Sequence, residues 1–304
     1  MQRFPESDSK YAYSPEHDSI GTVQPGEVFE VESVEGYSGY FRSPGDFTPE
    51  SYALAEAVKW AVVGPITVAG AVAGGAVAVT IHDIAITTPG VVTYGAYSRE
   101  VDPYDWWDDE SGADAYPIED GVVHFDEHTR LPTRPLIGCL AVVPGAGEVH
   151  AKLQGRYGGN LDCRELRAGA TLILPVEHEG AGLYFGDCKA LMGDSEIVGP
   201  PEVGAVVTAS ARPVERPAAL EWPRIETADE LITIVSGKPL EWAARQAMRE
   251  LLNWIDDDYD LPRARAALLL AMVADARIAQ ISNTDYTAYC VAPRSVLEPY
   301  APAP

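Results

Sequence analysis

Residues 61–81 contain no charged side chain over 21 positions, and what this run becomes decides the class of the whole chain. Its length is that of a bilayer-spanning helix, and Gly70-x-x-x-Gly74 has the spacing of helix pairs in lipid. The interior of the run argues against both. Gly64-Pro65 and Gly74-Gly75 break helices, and the apolar residues are mostly Ala and Val. Ile66 and Val68, then Val77, Val79 and Ile81, alternate with small or polar neighbours at the period of a strand. The run therefore reads as two β-strands about a glycine turn, a hairpin extending from Gly64 to Ile86, in a protein that does not enter membranes.

The rest of the chain is consistent with a strand-rich core. Residues 1–21 are polar without a period and are expected as an extended N-terminal arm. From Thr22 a strand pattern runs through Val23, the Pro25-Gly26 turn, Val28, Phe29, Val31 and Val34. Pro49 to Trp60 reads as a short helix with Leu54, Ala57 and Val58 on one face and Glu50 near its positive end. Residues 94–134 read as a long irregular region containing Trp106-Trp107-Asp108-Asp109-Glu110, His124 and His128. Such a segment is a lid, a subunit contact or a surface excursion packed by its own tryptophans. Pro135 to Val207 is a series of short apolar runs broken by glycine, the pattern of packed sheets or a barrel. In residues 240–275 the period lengthens to that of helices, through Trp242, Ala243, Met248, Leu251, Leu252 and Ile255, then Leu268, Leu270 and Met272. Tyr286–Val291 closes as a strand. The fold class is mostly β, sandwich- or barrel-like, with a C-terminal helical hairpin: a β-rich core over 22–235 and a helical region over 236–304 packed on it.

A formal net charge of −24 sets up a field that repels phosphate backbones, and no Lys/Arg stripe reverses it, so nucleic acid is not an expected partner. Cys139, Cys163, Cys188 and Cys290 show no CxxC or secreted-scaffold spacing and read as reduced, buried thiols. The first residues lack an apolar signal region. A cytoplasmic location is the expectation.

Five segments, in order, then carry a resemblance. Val23-Gln24-Pro25-Gly26-Glu27 opens the series and Gly64-Pro65-Ile66-Thr67-Val68-Ala69-Gly70-Ala71 follows. Pro135-Leu136-Ile137-Gly138 and Gly158-Gly159-Asn160-Leu161-Asp162 come next. The last is Leu174-Pro175-Val176 with Gly186-Asp187-Cys188-Lys189-Ala190-Leu191-Met192-Gly193-Asp194-Ser195-Glu196, and Glu202 stands downstream. From about residue 22 to 300 the chain resembles the acetamidase/formamidase family, whose members hydrolyse short aliphatic amides to acid and ammonia. Where the family has histidine in its GDxHA and before its GGN, this chain has Lys189 and Tyr157. Trp60 stands for a polar residue and Glu35 for an aspartate. The carboxylates are kept and the imidazoles are gone.

Amide hydrolysis needs a base for water, a donor for the developing oxyanion and an acid for the leaving nitrogen. Asp162, Asp187 and Glu196 can supply a base with a raised pKa, because crowded carboxyls cannot all ionise cheaply, and Asn160 can donate to the carbonyl oxygen. Lys189 can serve as cation, oxyanion donor or proton source, and Tyr157 as its acid–base partner. Asn160, Gly159, Trp60 and Glu35 are the expected substrate-binding positions. Read from spacing alone, Asp187 and Asp194 shape Gly-Asp turns and Lys189 neutralises a neighbour. No metal ligands are assigned: zinc wants imidazole or thiolate, although the resemblance leaves open a divalent ion, calcium or zinc, as in some family members. His82-Asp83 and His124-x-x-x-His128 read as isolated surface histidines. Cys188 cannot join Lys189 in one pocket if both lie on a strand, since consecutive side chains point to opposite faces.

The expected function is hydrolysis of a carbon–nitrogen bond in a small amide or lactam, with a small-molecule amide or metabolite as partner and a homo-oligomer as the assembly. The alternatives are a cyclase or lyase acting on a larger metabolite through Lys189 and Tyr157, or an inactive homologue.

Overall fold

The computed structural model describes residues 1–95 and 110–302. Among these, two large sheets dominate, one of nine strands and one of ten, and the main apolar core lies between them. Phe29, from Val28–Ser33 of the nine-stranded sheet, meets Phe185, from Leu183–Lys189 of the ten-stranded sheet, edge to face at 5.8 Å. Such sheet-on-sheet packing requires every second residue of each strand to be apolar, which is the alternation seen in the sequence.

The uncharged run supplies strands Val62–Val68 and Ala76–Ile86, with Gly70 and Gly74 at positive φ in the turn between them. They do not form the expected hairpin. Val62–Val68 pairs with Leu183–Lys189 in the ten-stranded sheet, whereas Ala76–Ile86 pairs with Thr171–Pro175 and Ala205–Val214 in the other. The seven residues 69–75 carry the chain from one sheet to the other. Val62–Val68 is buried almost throughout, Ala76–Ile86 exposes His82, Asp83 and Ala85 toward its far end, and no helix of the described residues is long and apolar enough to cross a membrane.

The N-terminal residues expected as an arm enter both sheets. Gln2–Phe4 lies parallel to Val28–Ser33, and Ser9 and Lys10 pair with Val63 and Val62. Within 94–134, residues 111–116 pair with Gly90–Gly95, and Ile118–Glu119, Val122–His124 and Arg130–Pro132 form a small separate sheet. The Trp106-Trp107-Asp108-Asp109 segment lies outside the described residues. The first helix, α1, spans Pro49–Glu56 and is capped by Thr48. It buries Ala55, while Leu54 is exposed.

Helices α2 (Leu240–Asp258) and α3 (Arg263–Val273) form the expected hairpin. They cover one face of strands Glu230–Ser236 and Thr287–Pro293. Leu231, Val235, Ala288, Cys290 and Ala292 face the helices, while Ile232, Ile234, Tyr289 and Val291 face the inter-sheet core. A strand buried on both faces loses its polar alternation, which explains the continuous run Leu231-Ile232-Thr233-Ile234-Val235.

Candidate active site

At one end of strand Leu183–Lys189 the backbone departs from regular strand geometry. Asp187 has φ +59°, Asp162 +45°, Glu196 +33° and Trp60 +62°, conformations that side-chain-bearing residues rarely adopt. Four of the eight such residues among those described line one cavity of about 400 Å³. Strain of this kind persists where the surroundings hold it, as at ligand sites.

The order of the elements explains the convergence. Asp187 and Lys189, two apart on a strand, share the face toward the cavity, while Cys188 points into the core. Asp162 follows strand Gly158–Asn160 and is fixed where the Leu161 and Asp162 amides donate to the Gly138 carbonyl. Glu202 is the register partner of Lys189. Glu196 reaches the cavity because Ser195 is clipped to strand Asp275–Gln280: its amide donates to the Ile278 carbonyl at 2.7 Å, and its carbonyl accepts from Ile281 at 3.0 Å. The same clip brings Ser282 and Asn283 to the wall. Ser282 Oγ donates to Glu196 Oε2 at 3.1 Å, and Asn283 Nδ2 donates to Asp162 Oδ2 at 3.2 Å.

At the floor stands Lys189, 1% exposed, ringed by four carboxyl groups. Its Nζ donates to Asp162 Oδ1 and Asp187 Oδ2, each at 2.7 Å, with Glu202 Oε1 at 3.6 Å and Glu196 Oε1 at 3.7 Å. Gly138 forms the underside. A Cβ there would come within 2.8 Å of Lys189 Nζ and closer still to oxygens of Asp187 and Asp162, so only glycine leaves room for the cage.

Four acids around one base cannot all be ionised in a buried site. Burial pushes Glu196 well above its ordinary value, reinforced by the charge of Asp162, and pushes Glu202 well above, reinforced by Asp187. Asp162 is also raised by burial, with the Lys189 ammonium opposing. Asp187 goes the other way. Burial would raise it, but the charge of Lys189 and hydrogen bonds from Glu202 and Lys189 outweigh that and hold it low. Burial likewise works against the Lys189 ammonium, and the carboxylates of Asp162 and Asp187, with Glu202 and Glu196, more than reverse it. The cage therefore sets an ammonium and a low-lying Asp187 carboxylate against two carboxyls, Glu196 and Glu202, whose proton affinity burial raises.

A divalent ion does not fit this cage. The place between the Asp162 and Asp187 carboxylates is filled by the Lys189 ammonium within hydrogen-bond distance of both, and two cations cannot share it. Among the described residues, no set of three His, Cys, Asp or Glu is arranged to hold a metal.

Asn160, Asp162, Asp187, Lys189, Glu196 and Trp60 all line the cavity. Three expected residues do not. Tyr157 packs its ring against Tyr13 at 5.6 Å, because Gly158 and Gly159, at φ +88° and +97°, turn the chain between it and Asn160. Gly159 is a backbone accommodation, with Leu153, Gln154 and Tyr157 pressed where a Cβ would stand. Glu35 acts one step removed. Its carboxylate accepts from the amides of Tyr37 and Gly39, fixing the turn from which Tyr37 reaches the cavity and meets Thr93 at 2.6 Å. His82, His124 and His128 lie outside the cavity lining.

The sequence reading missed Lys59, Lys152, Lys238, Tyr37, Tyr52, Ser282 and Asn283, which complete the wall. Each comes from a segment without a local motif. The polar run Ser282-Asn283-Thr284, set between two strands, was the one available signal.

With this geometry in place, comparison with known proteins is informative. The model of the acetamidase/formamidase family matches residues 145–214, the segment holding Asn160, Asp162, Asp187, Lys189, Glu196 and Glu202. A predicted acetamidase/formamidase from Thermoanaerobacter tengcongensis is 29% identical over 98% of this chain and 97% of its own, with a TM-score of 0.88. An acetamidase from Bacillus halodurans is 26% identical over 98% and 99%, with a TM-score of 0.90. A γ-lactamase from Delftia acidovorans, 16% identical over 98% and 91% with a TM-score of 0.62, shares the fold. No curated protein matches the chain.

Proposed function

We propose that the chain is a member of the acetamidase/formamidase family and that its carboxyl cage hydrolyses the carbon–nitrogen bond of a small amide, releasing a carboxylic acid and ammonia; the family match over residues 145–214 and the likeness to solved acetamidases support this reading. The observation that carries the reading is the set of four acidic groups with divergent proton affinities around one buried ammonium at the floor of a cavity.

The roles follow from protonation. A group that holds its proton is an acid, and Glu196, raised by burial, can deliver one to the leaving nitrogen. Asp162, bridging Lys189 and Asn283, is the carboxylate placed to take a proton from water as its oxygen adds to the amide carbon. The Lys189 ammonium faces the charge that develops on the carbonyl oxygen, in a buried setting where such stabilisation is strongest. Asp187 and Glu202 hold Lys189 in place. Asn160 has its carbonyl engaged by Cys139 and one amide hydrogen by the Lys152 carbonyl, leaving the other for substrate. Collapse of the tetrahedral intermediate breaks the carbon–nitrogen bond, and the proton from Glu196 leaves with ammonia.

Neither alternative gains support. Tyr157 is not in the cavity and cannot partner Lys189, and Trp60 lines the cavity without filling it. The test is ammonia and carboxylate release from formamide, acetamide and longer amides. The wild type is expected to release both in equal amounts, and a folded Glu196→Gln variant to lose about 10²-fold or more in kcat. A wild type that turns over no amide refutes the function. A fully active Glu196→Gln refutes the assignment. A homo-oligomer is part of this reading, and a strictly monomeric species in native mass spectrometry at micromolar concentration would contradict it.

A further inference from the structure

The chain contains five lysines in 304 residues: Lys10, Lys59, Lys152, Lys189 and Lys238. Eighteen of the described residues line the active-site cavity, and four of the five lysines are among them. In a protein of net charge −24 such a concentration is not a solvation pattern, for which lysines scatter over the surface. Lys189 is accounted for by the cage; Lys152 and Lys238 are not.

Their place in the cavity separates it into two ends of opposite character. Every charged group buried at the floor belongs to the cage: Asp162, Asp187, Glu196, Glu202 and Lys189. Of the lining residues with substantial exposure, the charged ones are Lys59 and Lys152, both half-buried, and Lys238, exposed. Aromatic rings hold them at the rim. Lys59 Nζ lies 4.5 Å from the Trp60 ring centre, Lys152 Nζ is 5.9 Å from the same ring, and Lys238 Nζ is 4.7 Å from Tyr286. Lys152 and Lys238 form no ion pair with any described carboxylate. Among the described residues no carboxylate neutralises their charge, unlike that of Lys189.

We propose that the substrate is an amide carrying a carboxylate at its far end, a monoamide of a short dicarboxylic acid, and that Lys152 and Lys238 with Lys59 bind that carboxylate. The proposal rests on the hydrolase reading above and adds the class of substrate. The polarity of the cavity sets the orientation. An anion is repelled from a floor whose Asp162 and Asp187 carboxylates outnumber its one ammonium, and is drawn to a rim of ammonium groups. The neutral amide goes to the floor, where carboxyl oxygens accept from its N–H groups. The volume agrees. About 400 Å³ lies within the roughly 300–1,000 Å³ of sites that enclose drug-sized molecules, more than a one- or two-carbon amide requires. Hydrolysis then consumes one water and converts the amide carboxylate to a dicarboxylate and ammonia, with no other co-reactant.

The experiment compares kcat/KM for succinamate and acetamide, together with calorimetric binding of succinate, in the wild type, Lys152→Met/Lys238→Met and Lys10→Met. The last removes one positive charge outside the cavity, against two in the double variant, and controls for the general field. The expected results are a wild-type preference for succinamate, a fall of at least tenfold in the succinamate-to-acetamide ratio in the double variant through KM, and loss of succinate binding. Lys10→Met keeps both. If acetamide is turned over as well as succinamate and succinate does not bind, the anionic substrate is refuted while the hydrolase stands. If no amide is turned over yet succinate binds in a manner that depends on Lys152 and Lys238, the hydrolase is refuted and the anion site stands. Should Lys10→Met change the ratio as much as the double variant does, the local site is refuted in favour of the overall field.

Discussion

Replacing Lys189 with Met removes the ammonium and keeps most of the side-chain volume, so the effect isolates charge. At an effective dielectric of about 20, each 2.7 Å contact to Asp162 or Asp187 has a Coulomb energy of roughly 6 kcal/mol. Most of this is offset in the wild type by desolvation, and removing one partner of a buried pair costs about 3–5 kcal/mol in practice. The pH dependence tells that cost from a packing loss. In the wild type Asp187 is held below its unfolded value, so its contribution is present above the unfolded pKa and is lost as pH falls through the lower folded value. Without Lys189 the buried carboxylates are raised by burial, so folding takes up protons and the variant loses stability as pH rises above about 4, by up to ~1.4 kcal/mol per pH unit for each group. The penalty from urea unfolding should therefore be at least about 2 kcal/mol larger at pH 8 than at pH 5. An equal penalty at both pH values, or one below about 1 kcal/mol, refutes an ammonium that neutralises this cage.

Three other outcomes follow from the same geometry. Gly138→Ala forces a methyl against Asp162, Asp187 and Lys189, and should cost about 1–3 kcal/mol in thermal unfolding and most of the amidase activity; wild-type behaviour would show that the cage has slack. Glu202 folds with a raised pKa, so its contribution falls as pH rises above the unfolded value; Glu202→Gln should gain stability relative to wild type between pH 5 and pH 8, and a loss that grows with pH would mean that Glu202 is ionised. Asn283→Ala removes a hydrogen bond to a carboxylate worth about 1.5–3 kcal/mol and should shift the acid limb of the kcat/KM profile upward, because Asp162 is then easier to protonate; an unmoved limb would separate Asp162 from the base role.

What could be read from the sequence, and what could not, divides along physical lines. Strands over Ile66–Val68 and Val77–Ile81 were legible because the alternation is local. Their partners were not, since pairing is decided by registers such as Leu183 with Ile66 and Thr171 with Thr80, over a hundred and about ninety positions away. The helical hairpin was legible from its period, but not the two strands on which it packs, whose apolar faces run together. Asp162, Asp187, Lys189 and Glu196 were legible from motif order. Tyr157 was misplaced because two left-handed glycines stand between it and Asn160 and turn it toward Tyr13. The rim lysines went unnoticed because positions 59, 152 and 238 converge only in the folded chain.

The measurement closest to the central claim is ammonia release from a short amide by wild-type protein dialysed against a strong chelator, with bound metal quantified in the same sample. An ammonium fixed at the floor predicts turnover that survives metal removal and is lost in Lys189→Met. Turnover abolished by the chelator and restored by zinc or calcium would contradict it.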